Sequence, residues 1–316
     1  MRRGGSEFFV QKGEEGKLGV FLRRRGISLS VVRSLKYIEG GILLNGCEAY
    51  TNQLLECGDV VSLQMQEEPG FSARPESIPL QLVYCSADSL VVNKPAGMAV
   101  HPGPSHHRGT LANAVCGMLA ARGDAGVFRP VGRLDVGTSG LVLCAGNAAS
   151  AALLGQSLEK VYVPVIQGRP AKMMGVIDAP LAPKTGSAVV QQVAARGRTS
   201  RTAYRVLSAT ASHALVAVRT FTGRTHQIRA HFAHIGHSLL GDAMYGGDTA
   251  RIKRQALHCA ALRFCEISGN RPGLCCPMPN DMLAIAHLTG LSLALPEDTL
   301  WKALREMNNL NLCEKD

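Results

Sequence analysis

The spacing of apolar positions near the start of this 316-residue chain changes from helical to strand-like. Residues 18–22 and 31–38 carry apolar side chains three and four positions apart, which predicts two short amphipathic helices. An apolar run at 42–44 ends at Asn45 and Gly46, a dipeptide typical of tight hairpin turns, and residues 54–63 predict a second hairpin. We therefore predict a small α/β unit at residues 16–65, preceded by a flexible N-terminus at residues 1–15.

A second unit is predicted after a segment without regular periodicity. Residues 66–79 contain three prolines and a glycine among charged residues, which favours a linker. Residues 80–316 then mix strand-like and helical spacing, which predicts a larger α+β domain. Pro164 lacks an N–H group, so we expect an edge strand or a bulge at that position. The predicted strands cover 82–85, 90–93, 141–145, 160–168 and 215–221, and the predicted helices cover 110–119, 148–158 and the stretch from Glu297.

The charge balance indicates a polyanionic partner. Lys and Arg total 34 against 24 Asp and Glu, a formal net charge of +10, which favours nucleic acid before a membrane surface. Aromatic residues make up only 5% of the chain, which argues against broad platforms for base stacking. Because no stretch reaches the ~18 apolar residues of a membrane span, none is predicted.

Cysteine and histidine usage argues against a metal site and against secretion. None of the ten cysteines forms a C-x-x-C pair, and no apolar signal segment follows the basic start of the chain, so we expect a reducing cytoplasm. The histidines at 226, 231, 234 and 237 do not share one helical face, and no H-E-x-x-H motif is present. We therefore predict no metal.

One carboxylate stands out among the candidates for chemistry. Asp135 lies in a glycine-rich turn that leads directly into the apolar run 141–145, and such a turn is a stiff mount for a reactive group. The alternative is a structural aspartate that bonds its own turn. A serine or cysteine hydrolase is disfavoured because no G-x-S-x-G motif occurs.

Five separated stretches resemble, in order, the RluA/RluD family of pseudouridine synthases. They are NKPAGMAVHPGP at 93–104, GRLDVGTSGLVL at 132–143, KVYVPVIQG at 160–168, TGRTHQIRAHFAHIGHSLLGDAMYGG at 222–247 and RQALHCAALRF at 254–264. The resemblance implies a catalytic domain built on a mixed, mainly antiparallel β-sheet with flanking helices and loops. It also implies isomerisation of uridine to pseudouridine in RNA without a cofactor.

The same resemblance implies roles for individual residues. Asp135 would be the nucleophile, Tyr162 would stack on the flipped base and help remove the C5 proton, and Arg229 would pair with Asp135 in a mostly buried ion pair. The implied substrate-binding residues are Arg133, Leu257, Arg224 and His226.

Residues 16–65 resemble the S4 RNA-binding domain, through GGILLNG and CGDVVSL after two short helices. The resemblance implies a small N-terminal α/β domain with a phosphate-contacting face formed by Arg23, Arg24, Arg25, Arg33 and Lys36. An S4 domain joined to this catalytic type implies large-subunit (23S) ribosomal RNA as the substrate, with transfer RNA as the alternative. We expect a monomer.

The chain departs from the family at three positions of the central motif. The family usually has His where Gly132 stands, and commonly has charged residues at Val136 and Gly137. A related bacterial branch carries Gly at the first position, so we expect activity to be retained and the choice of uridine to be affected. The departures keep one alternative open, a non-catalytic RNA-binding or ribosome-assembly protein.

Overall fold

A computed structural model describes residues 6–27, 29–36, 38–64, 71–86, 89–124, 127–146, 148–187, 189–266, 269–292 and 295–312. The N-terminal unit has a four-stranded antiparallel sheet in the order β1-β6-β3-β4 and a separate apolar core. Both predicted helices are confirmed, and the turn at Asn45 and Gly46 has positive φ at both residues. The elements are β1 (Ser6–Phe9), β2 (Gly16–Lys17), α1 (Leu18–Arg24), α2 (Leu29–Leu35), β3 (Ile42–Leu44), β4 (Cys47–Glu48), β5 (Leu54–Leu55) and β6 (Val60–Leu63).

The N-terminal stretch is more ordered than predicted. Of residues 1–15, the first five lie outside the described residues, but β1 pairs with β6, and Phe8 and Val10 are buried in the core. Burial of these two side chains compensates for the cost of ordering the segment. The second hairpin was also predicted wrongly, because β5 pairs with β2 whereas β6 lies between β1 and β3. Val61 and Leu63 are therefore central core residues.

Much of the predicted linker packs against the second unit. Residues 65–70 lie outside the described part of the chain. From Ser72 onward the backbone is irregular but hydrogen-bonded: Phe128 N donates to Ser72 Oγ, and Asn113 Nδ2 donates to Arg74 O. Ala73 is buried in the core of the second unit. The sequence missed this attachment because its bonds go to distant residues.

The second unit is built on one ten-stranded sheet. Its main path runs β12-β15-β16-β11-β17-β10-β8-β7, with β9 beside β10 and β18 beside β17. Among the strands that the structure describes, only β10 and β17 pair in parallel, which confirms the mixed, mainly antiparallel α+β prediction. The elements are β7 (Gln81–Cys85), β8 (Ser89–Lys94), α3 (Leu111–Ala121), β9 (Arg129–Val131), β10 (Ser139–Ala145), α4 (Ala148–Ser157), β11 (Glu159–Gln167), β12 (Met174–Asp178), β13 (Leu181–Pro183), β14 (Gln191–Val193), β15 (Arg201–Ala209), β16 (His213–Thr220), α5 (Gln227–His234), β17 (Leu257–Arg263), β18 (Gly273–Cys275), α6 (Asn280–Leu288) and α7 (Glu297–Leu312).

The central strand β11 separates two apolar cores. Val161, Val163 and Val165 face one core, while Tyr162 and Ile166 face the other, as strand alternation requires. Pro164 was expected at an edge or a bulge, but β11 is paired on both sides and its irregularity falls between Val161 and Tyr162. Burial on both faces stabilises the strand despite the missing donor. Within the described residues, no helix is long and apolar enough to cross a membrane.

Candidate active site

Asp135 lies in the turn that enters the fully buried strand β10. Thr138 N donates to the main-chain oxygen of Asp135 at 3.0 Å, which closes the turn through its backbone. The carboxylate instead faces α5, and its side chain is 27% exposed. Gly140, with φ of +112°, lets the strand approach the backbone of Cys259 on β17 so closely that a Cβ would collide there. The backbone at Asp135 is thus held rigidly, and the carboxylate is still accessible to solvent.

Arg229 reaches two carboxylates at once. Its Nη1 lies 3.4 Å from Asp135 Oδ2, whereas its Nε and Nη2 donate to Asp242 at 2.7 and 2.8 Å. Asp242 is almost completely buried, with 1% of its side chain exposed. The predicted contact between Asp135 and Arg229 is present, but the short, buried ion pair is the one with Asp242. Sequence reasoning quoted the GDAMYGG motif and assigned Asp242 no role.

Tyr245 and His226 complete the wall around Arg229. The Arg229 guanidinium lies 5.0 Å from the Tyr245 ring centroid, and the Tyr245 hydroxyl is hydrogen-bonded to His226 Nδ1 at 3.1 Å. His226 Nε2 lies 3.9 Å from Asp135 Oδ2, and His226 itself has a left-handed backbone before α5. The sequence did not predict Tyr245 as a site residue, because the three-residue 3-10 turn that carries it gives no periodic signal.

The electrostatics favour a permanently charged Arg229. Burial alone lowers its pKa, but the hydrogen bonds and charge of Asp242, together with Asp135, raise it above the usual arginine value. Burial, the largest effect, lowers the pKa of His226, opposed by Asp135 and reinforced by Arg229. Arg229 is therefore the constant positive charge beside Asp135.

Tyr162 lies on the same side of the sheet as these residues. Only 9% of it is exposed, and it packs in the core cluster that also contains Leu257. Burial, followed by the charges of Cys259 and Asp135, raises the pKa of Tyr162 well above its ordinary value. In the free protein Tyr162 is therefore a neutral phenol. Leu257 is buried at the start of β17, opposite Pro164.

The remaining predicted substrate-binding residues are solvent-exposed. Arg133 is exposed two positions before Asp135, and Arg224 is exposed with its Nε donating to Thr199 O at 3.2 Å. Neither makes a described hydrogen bond to Asp135, Tyr162 or Arg229. Their guanidinium groups thus remain on the surface around the site.

The predicted basic face of the N-terminal unit contains one exception. Arg23, Arg24, Arg33 and Lys36 are exposed. Arg25, by contrast, bonds Glu14 at 2.6 Å and Phe9 O at 3.2 Å, and its guanidinium lies over the Phe21 ring. Its donors hold this unit together, so Arg25 differs from the other four cations.

Two basic residues that sequence reasoning did not assign hold the turn that carries Asp135. Lys94 donates to Pro95 O and Met98 O at 2.9 Å and to Val136 O at 3.2 Å, and it is fully buried. Arg254 Nη1 donates to Gly137 O at 3.0 Å, and its Nε and Nη2 donate to Asp281 at 2.7 and 2.8 Å. Two successive carbonyls after Asp135 are thereby fixed. The KPAG and RQALH segments carry these residues, but spacing alone gives them no chemical role.

Local contacts explain why glycine stands at positions 132 and 137, where the family commonly has larger residues. Gly132 has φ of +83°, and a Cβ there would lie 3.1 Å from the Lys160 ammonium. A Cβ at Gly137 would meet the side-chain amide of Gln255, which donates to Thr138 Oγ1 at 3.2 Å. Lys160 and Gln255 occupy the space that larger residues at these positions would need.

The histidines are engaged in hydrogen bonds rather than grouped. His231 is bonded through both ring nitrogens, to Thr202 Oγ1 and Ala179 O, and His237 Nδ1 donates to Gln167 O. Across the described ranges, no group of three or more His, Cys, Asp or Glu side chains is arranged to hold a metal ion.

Comparison with known proteins decides the family. The sequence pattern of the RNA pseudouridylate synthase family matches residues 88–234. The uncharacterized RNA pseudouridine synthase YjbO of Bacillus subtilis is 31% identical over 264 residues, covering 81% of this chain and 93% of that protein. The chain belongs to the RNA pseudouridine synthases.

A second relative and one solved structure agree with this assignment. The ribosomal large subunit pseudouridine synthase D of Zymomonas mobilis is 39% identical over 239 residues, covering 69% of this chain and 75% of that protein. The structure of human RNA pseudouridylate synthase domain containing 1 superimposes with a TM-score of 0.57 at 27% identity, over 76% of this chain and 98% of that one. The synthase fold predicted from the motifs is thereby confirmed.

Proposed function

We propose that this synthase isomerises specific uridines in large-subunit ribosomal RNA to pseudouridine, with Asp135 as the nucleophile. The observation that carries the proposal is the pairing of an accessible carboxylate with a buried arginine whose charge is secured by a second carboxylate, Asp242. Membership of the family supplies the reaction class. The ribosomal relative in Zymomonas mobilis supports the substrate.

The chemistry requires Asp135 to stay ionised when bound RNA excludes water. Desolvation disfavours a carboxylate, and a nearby guanidinium favours it. Arg229 supplies that guanidinium, and Asp242 keeps it charged and oriented. In the proposed reaction the Asp135 carboxylate attacks C1′ of the ribose, and the glycosidic C1′–N1 bond breaks to release the uracil anion. The base rotates and its C5 attacks C1′, which breaks the C1′–Asp135 ester bond and regenerates the carboxylate. Removal of the C5 proton restores the aromatic ring, and N1 gains a proton, so the product is an isomer of the substrate.

Tyr162 and the basic surface serve substrate access in this proposal. The target base must leave its stack, which costs a few kcal/mol. Contact with the flat face of Tyr162 and with Leu257 compensates for part of that cost. In this proposal the Tyr162 hydroxyl takes part in removing the C5 proton, while Arg133, Arg224 and His226 hold the RNA.

The N-terminal unit is proposed to bind RNA as an S4 domain. Arg23, Arg24, Arg33 and Lys36 provide its exposed positive charge, which fits recognition of RNA through backbone phosphates. We further propose that the protein acts in the cytoplasm as a monomer, without a cofactor. Transfer RNA is the second candidate substrate, since both RNAs present unpaired loops.

Mapping pseudouridines in cells with and without the gene tests the proposal. We expect at least one large-subunit rRNA uridine to lose its modification in the deletion strain. Wild-type protein should restore it, and Asp135→Asn, made at the same level, should not. Restoration of the modification by Asp135→Asn would refute the assignment of Asp135 as the nucleophile. If pseudouridines are lost only from tRNA, then tRNA is the substrate. If the pseudouridine maps of both RNAs are unchanged, the non-catalytic RNA-binding alternative is favoured.

A further inference from the structure

A second concave site lies on the catalytic unit beside the C-terminal end of α5. Its cavity has a volume of about 410 Å³, within the range of small-molecule sites, and opens between the edge strand β12 and the end of α5. The lining residues that matter here are Lys172, Ile177, Asp178, Tyr204, His234 and His237.

Tyr204 offers the cavity an unused hydroxyl. The residue is 7% exposed, and its ring packs edge-on against Phe232 with centroids 5.8 Å apart. Within the described part of the chain its hydroxyl makes no hydrogen bond to protein, and it is open to the cavity rather than sealed in the core. A Cβ at Gly175 would lie 2.9 Å from that hydroxyl, so the glycine keeps the approach open. An incoming polar group can supply the missing partner.

The cavity differs in charge along its length. Lys172 precedes β12 and is exposed, whereas Asp178 ends the strand, 4.0 Å from Arg201 Nε. His237 donates from Nδ1 to Gln167 O, and its Nε2 makes no hydrogen bond to the residues that the structure describes. Ile177 and Ile235 add apolar surface. A cation, an apolar wall and a hydroxyl match a nucleotide, which has a phosphate, a flat base and polar base edges.

The cavity lies on the same side of the sheet as Asp135. Tyr162 and Tyr204 belong to one core cluster, and α5 carries both Arg229 and His234. His234 follows Arg229 by five positions, which is roughly 7.5 Å along the axis and about 140° around it for a helix of 3.6 residues per turn. An RNA strand whose target base reaches Asp135 can therefore reach the cavity within a few nucleotides by bending round the C-terminal end of α5.

We propose that this cavity binds one unpaired nucleotide of the substrate RNA, near the target uridine in sequence. Lys172 contacts its phosphate, the base lies against Ile177 and Ile235, and the Tyr204 hydroxyl bonds the base edge. The site would contribute to the choice of uridine. This inference rests on the proposed function, which supplies the RNA substrate. The two measurements that test it distinguish failure of the nucleotide site from failure of the proposed function.

The first measurement detects the site without catalysis. Cytidine 5′-monophosphate is titrated into full-length protein while the imidazole NMR signals of His234 and His237 are followed. We expect both signals to shift, with affinity falling about 3- to 10-fold in Lys172→Ala and in Tyr204→Phe, the effect of one hydrogen bond. Lys302→Ala, an exposed cation on α7, should bind as the wild type does.

The second measurement uses RNA on an Asp135→Asn background, so turnover does not matter. The RNA is a stem-loop around the uridine found by mapping, with abasic substitutions at each of the four positions on either side. We expect Tyr204→Phe to weaken binding about 3- to 10-fold, and one abasic position to abolish that difference.

The outcomes divide clearly between the two proposals. Unshifted histidine signals, equal shifts with inorganic phosphate alone, or a Tyr204→Phe effect that survives every abasic substitution would each overturn the nucleotide site. If mapping finds no modified uridine, the proposed function fails and the nucleotide titration alone decides the site.

Discussion

At the scale of single residues, the decisive feature is the division of Arg229 between two carboxylates. The Asp242 pair is short and buried, whereas the Asp135 contact is longer and partly open to solvent. A buried ion pair is strongly destabilised when one partner is removed, because the other charge is left uncompensated. Asp242 thus fixes the charge and direction of Arg229, while Asp135 stays accessible to substrate.

Replacing Asp242 should therefore affect both stability and activity. We expect Asp242→Asn to lower the free energy of unfolding by roughly 3–5 kcal/mol, because it leaves the Arg229 charge buried without its partner. Urea unfolding measures the loss, and Asp298→Asn, an exposed position in the first turn of α7, is the matched control. A loss below about 1 kcal/mol would mean that Arg229 does not depend on Asp242.

His258 gives the protein a predictable response to acid. Its ring is hydrogen-bonded to Ser139 Oγ at 2.9 Å and to Cys276 Sγ at 3.2 Å, and the residue is 1% exposed. Burial, opposed in part by main-chain hydrogen bonding near Cys276, lowers the pKa of His258 to about 4. Between that value and the ordinary value near 6.5, the unfolded chain binds a proton that the folded protein does not.

Stability should accordingly fall as the pH falls from about 6.5 to about 4. The contribution of His258 is of order 3 kcal/mol, since each pKa unit corresponds to ~1.36 kcal/mol. Urea unfolding at several pH values, compared between wild type and His258→Asn, measures it. The difference between the two proteins should shrink through this window, and a constant difference would contradict the prediction.

At the scale of elements, the turn that carries Asp135 is held from both sides. Lys94 at the end of β8 binds the carbonyl of Val136, and Arg254 before β17 binds the carbonyl of Gly137. Asp281 in the first turn of α6 orients Arg254 through two hydrogen bonds. Three elements far apart in sequence therefore determine where Asp135 points.

Arg254→Lys should separate positioning from RNA binding. Lysine keeps the charge, but its donors all lie on one nitrogen, whereas Arg254 binds Asp281 through Nε and Nη2 and reaches Gly137 O through Nη1. Lysine therefore cannot reproduce the geometry of both contacts. We expect kcat to fall roughly 10- to 100-fold, as small misplacements of reacting groups do, with KM for RNA almost unchanged. Steady-state kinetics on the mapped RNA decides this, with Lys253→Arg as the neighbouring control. An increase confined to KM would assign Arg254 to substrate binding.

At the scale of the whole molecule, an N-terminal unit that carries four exposed cations adjoins the catalytic unit. Gln156 Nε2 on α4 donates to Gly26 O at 2.9 Å, and Leu153 packs against the N-terminal core. The exposed cations Arg23, Arg24, Arg33 and Lys36 extend the basic surface beyond the active site. A duplex or loop of ribosomal RNA is large enough to contact both units.

The salt dependence of RNA binding tests this basic surface. Replacing these four cations with Gln should weaken binding at low salt and reduce the slope of log K against log salt by about 3–4, because each phosphate contact contributes ~0.7–0.9. Arg25→Gln should instead lower stability, since its bonds are internal. Filter binding and urea unfolding distinguish the two classes, and an unchanged slope in the quadruple variant would exclude phosphate contacts by this face.

The sequence alone determined much of this protein. Apolar spacing located the hairpin β7–β8, the helices α3 and α4 and the buried strand β10, because local periodicity reflects which face an element buries. The motifs identified the family and selected Asp135, Tyr162 and Arg229 for the site. Spacing failed where the bonding partner was distant in sequence, as for β1, β5 and the residues after Ser72.

Only the tertiary structure decided how the site is held together. The partner of Arg229 proved to be chiefly Asp242, and the bonds of Lys94 and Arg254 to the catalytic turn appear only when β8, β17 and α6 meet. These contacts join residues up to 144 positions apart (137 to 281) through Arg254. Charge pairing and hydrogen bonding depend on distances and burial set by folding, which one-dimensional spacing does not contain.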